Sequence, residues 1–406
     1  MDMATVIARL DEARAADPGT RDRICDETAA ALLAASTPPA FEVRSADFRN
    51  DPYFVCADRY WRGRFQERPT AGTAFECARW MADHVTDGSW GVVAEQWALG
   101  NGFLNRGSLG SADQFAEALA GTDAGTVAEA ERIAFFLTLF HAGKLRANFC
   151  FDELHAFLAY APSSVAAGSL RARPVFVALQ SFAAFGSRAL TIAFASELLE
   201  KAWSSEDRTR HTVDICLNGV AFAVPFEEQG ELLRSHAAEA VEAYPGDHMF
   251  HARLAAGLHM CGRHDAALES IDTALALLAA SPTASLGVLQ EQFLTKRDAI
   301  QEGRLRAVRD AEQQRRWEEQ AAANAQLERS LHTSSVRAVE VVAVFTAAIA
   351  FAVGSLQVTL TGKLPLSDRL WLLGAQGAGL AVFALLIVGG TWLITRSHHP
   401  KSRGGE

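Results

Sequence analysis

The chain has 406 residues, 49% hydrophobic and 21% charged, with a formal net charge of -10. That length suffices for two or more domains. The acidic balance, which lies almost wholly upstream of Val336, excludes a nonspecific nucleic-acid binder, since that needs a basic face. The six cysteines, Cys25, Cys56, Cys77, Cys150, Cys216 and Cys261, have no CxxC pairing, a pattern of buried, reduced thiols rather than a disulfide or zinc framework.

The opening residues MDMATVIARL lack a basic stretch followed by an apolar core, so no secretory signal is expected. Ala-, Leu- and Glu-rich runs with apolar residues at helical spacing predict helices near 4–16, 22–35, 72–85, 112–120, 126–142, 149–160, 173–203 and 211–224. Turn chemistry separates them at Ser36-Thr37-Pro38-Pro39, Asp87-Gly88, Gly121-Thr122-Asp123 and Ala161-Pro162-Ser163-Ser164. Trp61, Trp80, Trp90 and Trp97 concentrate aromatics in the N-terminal third and read as core.

The clearest internal pattern lies at 251–279, HARLAAGLHMCGRHDAALESIDTALALLA. Leu254, Ala255 and Leu258 precede a turn at Gly262, and Ala267, Ile271 and Ala274 follow on a second helix. A shift of about 34 residues brings Val220, Ala221, Leu233, Ala237 and Ala240 into register, with Glu228 in the glycine's place. These residues resemble the tetratricopeptide repeat, a helix–turn–helix unit with small residues where its helices cross. The resemblance implies an all-α fold, a helical-repeat solenoid, and a concave groove that binds a partner protein. It nominates Met249, Ala252, Ala256 and His259 as groove-lining, and neighbouring units to cover the two that are visible.

A charged helix follows over 286–335. Leu286, Leu289, Phe293 and Ile300 have a heptad-like spacing that fails at Gly303, Asp310 and Gln314, so no coiled coil is sustained beyond them. Alternating Lys/Arg and Asp/Glu mark a solvated stalk. Two apolar stretches then close the chain, Val341–Leu360 and Trp371–Thr395, each about the length that crosses a bilayer. They predict a transmembrane hairpin over 336–396. Arg329, Arg337, Arg396, Lys401 and Arg403 flank it against Lys363 and Arg369 in the loop, which places both termini in the cytoplasm of an inner membrane. Within it, Gly374, Ala375, Gln376, Ala378 and Gly379 form a small-sided surface, and Gln357 faces Gln376 near the loop, as in helices that associate in lipid.

No signature of catalysis or cofactor binding emerges. His248, His251, His259, Cys261 and His264 are dense, but a helix through 249–261 separates His251 from His259 by about 12 Å, so no metal site is expected. Gly107-Ser108-Leu109-Gly110 is not a nucleophile elbow, and no phosphate loop occurs. The sequence therefore divides into an N-terminal helical domain (1–165), repeats (166–285), stalk (286–335), hairpin (336–396) and basic tail (397–406). It leads to the expectation of a non-enzymatic, membrane-held adaptor whose partners are an unidentified protein and the bilayer, with no cofactor and no nucleic acid. The alternative is a membrane-disrupting effector of the bacterial immunity type, whose hairpins associate into a homo-oligomer.

Overall fold

The computed structural model describes residues 2–107, 110–120, 125–280, 286–361 and 365–397. The chain divides into two units, Met1–Ala307 and Val308–Glu406. It is all-α, about 82% helical; one parallel bridge, Val43 to Val85, ties down the segment before the third helix.

In the first unit, local chemistry sets the helix starts. Helix α1 (Met3–Ala15) turns Val6, Leu10 and Ala13 inward at i, i+4 and i+7. Asp17 caps α2 (Pro18–Ala34) by accepting the Thr20 amide at 3.1 Å, and Pro18 sits in the first turn, where no amide is needed. Asp51 and Pro52 repeat the device for α3 (Pro52–Glu67), and Thr70 caps α4 (Ala71–His84). Next come α5 (Asp87–Leu104), α6 (Ala112–Ala120), α7 (Val127–Ala147), α8 (Phe151–Tyr160) and the short α9 (Pro162–Ala166). Helix α7 is buried on every side from Ile133 to Leu145, so it is the axis about which the others pack. Trp61, Trp80 and Trp97 form a continuous aromatic chain, with ring centroids 5.9 and 6.0 Å apart.

Three helix pairs follow: α10 (Pro174–Gly186) with α11 (Ile192–Trp203), α12 (Arg210–Ala221) with α13 (Gln229–Ala243), and α14 (His248–Met260) with α15 (His264–Ala279). The first helices begin at 174, 210 and 248, and α16 (Leu286–Thr361) begins at 286, a spacing of 36, 38 and 38 residues. The second helices bury one pattern three times: Ala195, Leu199, Ala202; then Leu233, Ala237, Ala240; then Ala267, Ile271, Ala274. Helix pairs of one design thus stack in series. The last two second helices keep the 34-residue register, whereas their first helices are offset by 38. The turn at 222–228 is four residues longer than the turn at 261–263, which explains why Glu228 stood where a glycine was sought.

Close helix approach depends on Gly257. A Cβ there would lie 2.6 Å from the Arg234 amide nitrogen and 2.8 Å from its Cα, on the backbone of α13. Backbone cannot step aside as a side chain can, so Gly257→Ala is expected to cost about 1–3 kcal/mol in urea unfolding. Gly246→Ala, which meets nothing within 4 Å, should leave the midpoint nearly unchanged.

The start of α16 belongs to the same stack. Phe293 and Ile300, at 1% and 3% exposure, join Ala252, Ala255, Ile271 and Leu278 in a second core cluster. The heptad-like residues are therefore satisfied inside the chain rather than in a coiled coil. In the second unit, α16 is solvent-exposed from Val308 through His332.

The membrane hairpin is not supported. Among the described residues, no helix is long and apolar enough to cross a membrane. The first apolar stretch is no separate span but the end of a 76-residue helix whose upstream part is rich in charged and polar residues. Helix α17 (Leu366–Ser397) interrupts its apolar residues with Gly374, Gln376, Gly377, Gly379 and Gly389. The transmembrane hairpin, the two-span inner-membrane location, the cytoplasmic placement of the termini and the membrane as a site of action are corrected accordingly. The tail at 398–406 lies outside the described residues.

Candidate partner-binding face

The first helices of the pairs carry charge on the side they turn to one another, where an ordinary core would be apolar. Asp214 on α12 receives Arg146 from α7 at 2.7 Å. One turn earlier, Arg210 binds Asp247, the cap of α14, at 2.6 Å. Arg253 on α14 donates to Asn218 Oδ1 and lies over the Phe222 ring, 5.3 Å from its centroid. Lys296, on the first turns of α16, stands within electrostatic reach of Arg253.

Burial governs how these groups ionise. It pushes the Asp214 carboxyl up, but Arg146, Arg253 and Arg210 outweigh it and hold the group below the usual carboxylate range. Burial lowers the Arg253 guanidinium, with Asp214 opposing. Lys296 falls to about 8, by burial first and by the like charge of Arg253 second. Arg146 and Arg210 have their carboxylates. Arg253 is 6% exposed, donates to Asn218 and has Asp214 as its counter-charge, while its Nε has no hydrogen-bond partner among the described residues. Among these six charged residues, cations outnumber anions four to two.

A second polar joint fixes the N-terminal ends of the same helices to α5. Thr209, the cap of α12, donates to Glu95 Oε2 at 2.7 Å, and Arg173 approaches the other carboxylate oxygen at 3.6 Å. Burial raises the Glu95 carboxyl against these two partners. His211 bonds Gln96 Oε1 through Nε2 at 2.6 Å. The helix pairs and the N-terminal helices are thus held together within the first unit.

At the opposite end of α12 the chain exposes aromatics. Helix α7 closes with the Cys150 amide on the Leu145 carbonyl at 3.0 Å and the Phe149 amide on Arg146 at 3.1 Å, a terminus that places its last residue in the left-handed region and favours glycine. Here that residue is Phe149, at φ +57° and 48% exposed. Its ring meets Phe222, itself 46% exposed, edge-on at 4.9 Å. Beside them a cavity of about 390 Å³ is bounded by Cys150, Phe151, Glu153, Gly186 and Arg188.

No known family, no curated protein and no solved structure matches the chain. Its site has to be read from its own geometry.

The four nominated groove residues are distributed differently. Ala252 is buried at 1% exposure against the second core cluster, and Met249 packs on that cluster. Ala256 rests on the main core. His259 pairs with His264, Nδ1 to Nδ1 at 3.2 Å, beneath Gly303 of α16. The dense histidines disperse: His251 turns to the Pro245 carbonyl, the His248 ring lies tilted 6.0 Å from that of Phe293, and Cys261 reaches Glu231. Among the described residues, no three His, Cys, Asp or Glu side chains are placed to hold one metal ion. On α17, Gly374, Ala375, Ala378 and Gly379 are exposed and Gln376 is half-buried, while Gln357 is exposed on α16. Arg146, Asp214, Arg253, Lys296, Phe149 and Phe222 escaped sequence reading. A signal existed for Arg253, a charge flanked by Ala252 and Leu254 on a helix whose neighbours all point inward.

Proposed function

We propose that residues 1–307 form a protein-interaction module that binds a partner segment along the first helices of its pairs. One observation carries this reading: four cations, Arg146, Arg210, Arg253 and Lys296, gather around Asp214 and Asp247 on successive helices. Serially stacked pairs give a long, rigid surface at little entropic cost to binding, which suits recognition of an extended segment. A resemblance to tetratricopeptide repeats agrees with this use. The catalytic alternative lacks a nucleophile and base within reach of one another on this face.

The test is selection of peptides against the full chain from a random displayed library, with Lys296→Glu as the counter-selection and Arg297→Glu as control. Arg297 lies on the same helix but is paired with Asp272. Binders that fail on the first variant and survive on the second support the module. A library that yields none, or binders indifferent to Lys296, removes the reading.

A further inference from the structure

We infer that His259 and His264 form a binding site for one divalent transition-metal ion of the zinc type, each supplying Nδ1 as a ligand. His259 stands one residue from the end of α14, and His264 opens α15. The three-residue turn between the helices, with Gly262 in the left-handed region at φ +73°, folds one histidine against the other. The separation of about 12 Å along a helix that removes His251 as a partner of His259 does not apply across this turn.

The distances are those of a chelating pair. Two imidazoles bound to one ion at roughly 2.0–2.1 Å, with a tetrahedral angle between them, have nitrogens about 3.3 Å apart and ring centres about 5.1 Å apart. In His259 and His264 the Nδ1 atoms are 3.2 Å apart and the ring centroids 5.1 Å. Rings joined head-on by a hydrogen bond of that N···N length would have centres about 5.5 Å apart. The rings are thus bent out of the head-on line by the amount a shared ion requires. Neutral imidazole suits zinc, copper and nickel. No third His, Cys, Asp or Glu joins the pair among the described residues, so water completes the coordination and the ion stays exchangeable.

A second observation comes from α16, where Gly303 faces both rings. A Cβ there would lie 2.7 Å from His259 Cε1, 3.0 Å from His264 Cε1 and 3.4 Å from His259 Nδ1. Glycine inside a helix is less favourable than alanine, and here the missing side chain leaves the space in which the two imidazoles close on one another. The cation next to Gly303, Arg304, is neutralised by Asp265 at 3.1 Å, which lowers the repulsion a metal ion meets. A bound ion ties the end of α14 to the start of α15 with α16 packed over the pair, and so stabilises the last helix pair.

The experiment titrates zinc chloride into the metal-free full chain by isothermal calorimetry, with the absorption of added cobalt(II) as a second readout. One ion per chain should bind with micromolar affinity and raise the thermal midpoint. His259→Gln and His264→Gln should each weaken that step at least tenfold. His251→Gln, whose ring turns to the Pro245 carbonyl, should leave it unchanged. Gly303→Ala keeps both ligands, and the imidazoles can swing away from the new methyl, so its midpoint should hold while zinc affinity falls about tenfold. Cobalt should bind without a thiolate charge-transfer band. An absence of binding, a step that survives either histidine variant, or a thiolate band assigning the ion to cysteine would overturn the inference. Should a histidine variant fail to fold, Gly303→Ala and the cobalt spectrum decide: unchanged affinity in the former overturns the site.

Discussion

Between pH 7 and pH 4 the first unit is expected to lose about 3 kcal/mol of unfolding free energy for each of two histidines, His141 and His211. Each is held neutral in the fold with its pKa lowered from 6.5 to about 4. For His141 the cause is burial, then the Lys144 ammonium; for His211 it is burial, then Arg210. A depressed imidazole binds its proton more readily in the unfolded chain. The contribution is thus present above the unfolded value of 6.5 and drains away as pH falls toward the folded value of 4. Asp214 and Glu231 act in the same direction at lower pH, since their carboxyls are held down. Glu95 and Asp58, raised by burial, oppose it.

The variant that isolates the effect is His141→Phe. The imidazole lies 5.0 Å from the Phe115 ring and 4.5 Å from Phe157, with Nδ1 unpartnered, so a phenyl ring keeps the packing and drops the titration. Urea unfolding at pH 7, 5.5 and 4.5 should show a shallower acid limb for the variant, by about 2.4 kcal/mol at the lowest pH. Parallel limbs for the two proteins would mean that His141 is not buried as a neutral base.

What could be read from the sequence depended on how local the determining physics was. Long apolar runs free of turn residues, such as the one that forms α7, were visible as helices. The run at 173–203 looked continuous because Ala and Phe persist through it, yet Gly186 and Ser187 break it into α10 and α11. Asp87-Gly88 read as a loop but supplies the first turn of α5, where an acidic residue complements the helix dipole. The terminal apolar stretches were judged by composition alone. Continuity of α16 with its charged upstream part is a property of the whole helix, which a window over 20 residues does not see. The polar contacts of the binding face join residues 35 to 68 positions apart, as the Arg253 to Asn218 hydrogen bond and the Arg146 to Asp214 ion pair. Nothing in local spacing announces such partners; they emerge only when helices from different pairs meet.

Removal of the Asp214 carboxylate tests whether that face is kept charged at the expense of stability. Asp214 is 16% exposed at its side chain and Arg146 21%, so the pair is mostly withdrawn from water. Deleting one member leaves the other to bear its desolvation alone, here with Arg210 and Arg253 as like-charged neighbours. Asp214→Asn keeps shape and a hydrogen-bond acceptor but not the charge, and is expected to cost about 3 kcal/mol in urea unfolding, the low end for a broken buried pair. Arg146→Met combined with it should restore much of that loss, because both ends of the pair are then apolar or neutral.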